Sequence, residues 1–173
     1  MAFAIRATRK ALRRLGGSVV PEAGPPTTAL GDWYVNVVHV GQTQFVLCTS
    51  DRSLLSVVLP ARRLKSELHS RLREGVAELL TDLGIPGECI ARELHEMSPP
   101  VISRTSSRSV LGSMNDFEYL LEVAVRTQPN ISLRALSLEL SGTPCQPLAA
   151  QYQTAFPDHV ARRLLGCEER PAG

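Results

Sequence analysis

Trp33-Tyr34-Val35-Asn36-Val37-Val38-His39-Val40-Gly41-Gln42-Thr43-Gln44-Phe45-Val46-Leu47-Cys48-Thr49 decides the fold class of this chain. Two runs rich in β-branched and aromatic residues flank Gly41-Gln42, and Gly41 can supply the positive φ of a type II′ hairpin turn. Ser50-Asp51-Arg52-Ser53 separates the second run from a third, Leu54 to Leu59, so the stretch reads as an antiparallel three-stranded meander. Both alternating faces of these strands are largely apolar, which demands cover on both sides, or on one side plus a partner such as a second copy in a homodimer. Short strands near residues 2–6 and 101–105 are candidates to extend the sheet. His39, inside the first run, reads as a core or edge histidine rather than a catalytic one.

Outward from the meander the pattern turns helical. Thr8 can cap a helix that carries Ala11, Leu12 and Leu15 on one side and stops at Gly16-Gly17, after which the Pro/Gly-rich segment to Gly31 reads as a surface loop. Leu64, Leu68, Leu72, Val76, Leu79, Leu80 and Leu83 recur at helical spacing between Arg62 and Leu83, with Glu67 four residues before Arg71. Gly84 can end that helix and Pro86 open another, with Ile90, Leu94 and Met97 inward, broken by Ser98-Pro99-Pro100. Further helices are expected from Met114 to Thr127, from a Ser132 cap, and from Asp158 to Leu165; Leu136, Leu138 and Leu140 also alternate as a strand would. The expected fold is α+β: the meander packed against four to six helices in one domain over residues 1–167, with a frayed tail at 168–173.

Composition narrows function by exclusion. Apolar residues make up 43% and charged residues 21% of 173, which fits a packed globular chain, and a net charge of +2 is too small for a strong nucleic-acid-binding field. Arg6, Arg9, Lys10, Arg13 and Arg14 nevertheless crowd the first fourteen residues without an acid; a solvated helix face is the first reading, a phosphate-contacting surface the second. The segment also has the composition of a transit peptide, a weaker reading. Cys48, Cys89, Cys145 and Cys167 are widely spread and do not combine with His39, His69, His95 and His159 at zinc-ligand spacing, so neither a metal nor a cofactor is expected. The cysteines read as reduced thiols and the compartment as cytoplasm. No apolar run approaches the roughly 20 residues that span a bilayer, so no membrane partner is expected.

Polar chemistry concentrates at Arg108-Ser109-Val110-Leu111-Gly112-Ser113-Met114-Asn115-Asp116. Ser113 and Asp116 have the spacing of a capping box, Gly112 suits a turn, and Arg108 can fold back on Asp116 or Glu118, which together describe a mutually satisfied turn ahead of a helix. The same groups also suit a ligand site. Arg108, Ser109, Gly112, Ser113, Asn115 and Asp116 are the candidate ligand-binding residues, for a phosphate or carboxylate or for a protein partner. A catalytic version would use Arg108, Asn115 and Asp116 on a phosphorylated or nucleic-acid substrate, with Glu93, His95 and Glu96 as candidates to complete it. No nucleophile, base and orienting group can be read together, so a binding or regulatory module is preferred to an enzyme, and a structural partner stands third.

Asp32-Trp33-Tyr34-Val35-Asn36, the segment from Arg108 to Asp116 followed by Phe117, and Thr143-Pro144-Cys145 together resemble the bacterial domain of unknown function numbered 6933. The resemblance runs from Ala7-Thr8-Arg9-Lys10 to about Leu165. Its central motif is matched by Arg108, Ser109, Gly112, Ser113, Met114, Asn115 and Asp116. It implies a cytoplasmic bacterial protein of one α+β domain and carries no activity with it. The Pro/Gly loop before Gly31 departs from the pattern as an insertion.

Overall fold

Ala4–Ala7 form β1, and Thr8 turns the chain into α1 (Arg9–Leu15) by accepting the Ala11 N–H on its hydroxyl. The computed structural model describes residues 3–166; the tail at 168–173 lies outside them. Along the described residues follow β2 (Trp33–Val40), β3 (Thr43–Ser50), β4 (Ser56–Pro60), α2 (Leu64–Asp82), α3 (Gly87–Glu96) and β5 (Val101–Arg104). Then come α4 (Arg108–Thr127), α5 (Leu133–Ser141), α6 (Gln146–Tyr152) and α7 (Pro157–Leu164).

The α+β class holds, but the sheet is not a three-stranded antiparallel meander. It has five strands in the order β4-β3-β2-β1-β5. The β2-β3-β4 pairings are antiparallel, with Gly41 at φ +60° in the β2–β3 turn; β1 then pairs parallel with both β2 and β5. Parallel neighbours need long crossovers, and these are supplied by α1 between β1 and β2 and by α2 and α3 between β4 and β5.

Side-chain parity then divides two cores. Trp33, Val35, Val37, Cys48 and Val57 face α1, α2 and α3, whereas Tyr34, Val38, Leu47 and Val58 face α4, α5 and α6. The chain's own helices therefore cover both faces, which removes the reason for expecting a second copy against a bare sheet. Gly75 lets α2 approach β4 closely, since a Cβ there would stand 2.5 Å from Val57 Cγ1. Ser132 caps α5 by accepting the Ala135 N–H, and helix prevails over the alternating-strand reading because Leu136 and Leu140 meet on one buried face.

The outer margin of β4 has a specific chemistry. In an antiparallel pair every second backbone nitrogen points away from the neighbour, and on β4 these positions are Ser56, Val58 and Pro60. Ser56 N–H donates to Ser141 Oγ at 3.2 Å and Val58 N–H to Ser137 Oγ at 2.9 Å, while proline has no N–H. Arg134 on α5 grips Asp82 on α2 through two bonds of 2.6 and 2.7 Å, joining the two helices around this margin.

Three other expectations change. The helix expected from Met114 begins at Arg108, α6 is an additional helix that starts with Pro147 in its first turn, and Cys89 is disulfide-bonded while Cys48 and Cys145 are free. No described helix is long and apolar enough to cross a membrane, and no three His, Cys, Asp or Glu side chains of the described residues gather as metal ligands.

Candidate functional site

Residues 108–116 are the opening turns of α4, not a turn ahead of it. Ser107 is the cap: its Oγ accepts the Val110 N–H at 3.2 Å, and its own N–H donates to the Tyr34 hydroxyl at 3.0 Å. Ser113 is therefore inside the helix and buried rather than capping it, and the Ser113–Asp116 capping box does not form. Gly112 is helical too, with open space where a side chain would be.

Tyr34 fixes where α4 starts, and Asp32 fixes what lies beneath. Asp32 accepts the Ala4 N–H and the Arg6 Nε–H, both at 2.8 Å, and Arg6 in turn reaches the Arg104 carbonyl and Ser106 Oγ at 3.4 Å. The ends of β1, β2 and β5 and the start of α4 are thus joined through one polar network. On β2, Asn36 accepts from the Thr8 hydroxyl and donates to Glu118 on α4, each at 2.5 Å. Glu118 accepts from Asn36, and no hydrogen bond or ion pair joins it to Arg108.

What the fold does with the candidate residues is specific. Arg108, Ser109, Gly112, Ser113 and Asp116 line one hollow of about 350 Å³, closed on its far side by Pro144 and Cys145 of the α5–α6 connection and by Gln146 and Pro147 at the start of α6. Asn115 is exposed and does not line it. Arg108 and Asp116 are exposed, and neither side chain makes a hydrogen bond or ion pair with another described residue, so they do not form the mutually satisfied pair expected of a structural turn. Cys145 sits beside Asp116; burial, reinforced by the Asp116 charge, pushes its thiol up to about 11, so at neutral pH it is a neutral thiol that donates to the Thr143 carbonyl.

The other proposed contributors lie elsewhere. Glu93 is buried and accepts the Ala29 and Leu30 N–H groups at 2.8 and 3.0 Å, which pins the end of the Pro/Gly segment against α3. Burial raises its carboxyl above the usual carboxylate range, against those two bonds. Arg9 and Arg13 line a different cleft together with Arg104. The α5–α6 residues of the hollow and the Tyr34–Ser107 contact escaped the sequence reading, although Thr143-Pro144-Cys145 and Asp32 to Asn36 were among the residues that carried the resemblance.

No curated protein and no solved structure matches this chain. The sequence profile described as "Domain of unknown function (DUF6933)" matches residues 4–158, from β1 to the start of α7, and the chain belongs to that family.

Proposed function

We propose that this domain is a binding module rather than a catalyst, and that its ligand occupies the hollow between the first turns of α4 and the α5–α6 connection. The observation that carries the reading is the pair Arg108 and Asp116, two opposite charges that line the same hollow and have no hydrogen-bond or ion-pair partner among the described residues. A fork of guanidinium donors at one end and a carboxylate at the other fit a ligand with an anionic group and a separate cationic or hydrogen-bond-donating group. Ser109 and Ser113 add hydroxyls, and Gly112 leaves room for the ligand to approach the helix. Against catalysis stands the chemistry around Asp116: its neighbours in the hollow are a permanently charged guanidinium and a protonated thiol, neither of which exchanges protons near neutral pH.

A thermal-shift screen tests this with amino acids, dipeptides, nucleotides and inorganic phosphate on the wild type, Arg108→Ala and Asp116→Asn. The two substitutions leave the unliganded melting temperature within about 1 °C, because neither side chain has a bond to another described residue to lose. A ligand that stabilises the wild type and neither variant supports the site. Loss of stability in both variants with no stabilising ligand in the screen would return these residues to a structural role.

A further inference from the structure

β1 and β5 lie side by side and run the same way, yet the chain leaves them toward opposite faces of the sheet. After Ala7 it enters α1, on the side of α2; after Arg104 it enters α4, on the side of α5. Diverging connections at the carboxyl ends of adjacent parallel strands leave a crevice that neither connection fills, the common ligand position in open sheets of this kind. Here the crevice is a cleft of about 540 Å³, with Ala7 and Thr105 at the strand ends, Leu12 in its wall, and Arg9, Arg13 and Arg104 around it.

All three arginines are exposed, and among the described residues none of their guanidinium groups has a hydrogen bond or ion pair and no carboxylate lines the cleft. Other arginines of this chain are held by acids: Arg6 by Asp32, Arg71 by Glu67, Arg126 by Glu122 and Arg134 by Asp82. Arg9 and Arg13 stand one turn apart on α1, and Arg104 comes from β5, so three arginines line the one cleft from two elements. Like charges gathered around one cleft oppose one another unless an anion lies between them, and phosphate oxygens match the fork geometry of guanidinium.

We propose that this cleft binds the phosphate groups of a small phosphorylated ligand, with a diphosphate suiting three forks better than a single phosphate. Among the described residues no aromatic side chain lines it to stack a nucleobase, which argues against a single-stranded nucleic acid as the occupant. The proposal is independent of the hollow beside α4, since the two share no lining residue.

Isothermal titration calorimetry at fixed ionic strength tests it, with inorganic pyrophosphate as the probe and orthophosphate and an oligothymidylate as comparisons. The wild type should bind pyrophosphate at one site and more tightly than orthophosphate. Arg9→Ala and Arg104→Ala should each weaken that binding roughly tenfold, while Arg126→Ala, at an exposed arginine that lines neither cleft, leaves it unchanged. Circular dichroism should be the same for all of them, because these side chains are exposed. The proposal is overturned if the wild type does not take up pyrophosphate, if Arg9→Ala and Arg104→Ala bind it as the wild type does, if Arg126→Ala weakens it equally, or if the oligothymidylate binds more tightly.

Discussion

Asp51, just past β3, is a carboxylate whose surroundings oppose its charge. Burial and the Asp32 carboxylate push it up to about 6, and the Asp32 N–H together with Arg52 and Arg6 only partly compensate. A raised carboxyl favours the protonated folded form, so its contribution to stability is complete below the unfolded value near 3.8 and is lost as pH rises through about 6. Asp51→Asn keeps an oxygen that can accept the Asp32 N–H and removes the charge. Urea titrations should show this variant about 1 kcal/mol more stable than the wild type at pH 7.5, with the gain gone at pH 4, after allowing for solvent screening of a half-buried group. Gly112 offers a second single-residue test. It lies in a helix interior with nothing near its missing Cβ, so Gly112→Ala should raise stability by about 0.5–1 kcal/mol and, by filling the hollow, weaken any ligand held there.

At the level of elements, local pattern exposed what local forces decide. The β2 and β3 strands were legible because β-formers flank Gly41-Gln42, and α2 because seven leucines and valines keep helical spacing over more than four turns. The start of α4 was not legible, since Ser107 and Ser113 are both acceptable caps by composition. The choice falls to Tyr34, whose hydroxyl catches the Ser107 N–H across 73 positions of sequence. The parallel pairing of β1 with β5 has the same character, because two four-residue strands with no turn between them carry no mark of each other. Of the candidate site, the α4 side could be read from residue types; its other wall, Pro144 to Pro147, depended on how α5 and α6 fold back. An element-scale prediction concerns the serines of α5. Ser137→Ala would leave the buried Val58 N–H without an acceptor and should cost about 1–3 kcal/mol by chemical denaturation, with faster amide exchange at Val58; the exposed Ser109→Ala should change neither.

At the scale of the molecule, one sheet separates two cores, and Asp32 and Glu93 secure the joints between strands, loop and helix. Leu72 is fully buried on the α2 side and Phe117 is almost so on the α4 side. Because the strands belong to both layers, Leu72→Ala and Phe117→Ala should each cost about 3 kcal/mol and each lower a single calorimetric transition. Two resolved transitions, with each variant shifting only one, would show that the layers melt independently. The treatment of the β4 margin reaches further than stability. A foreign segment laid along that flank would meet hydroxyl-sated amides and an imino acid instead of a ladder it could extend, so polymerisation through the main chain is disfavoured there, and whatever associates on that side must be read through side chains.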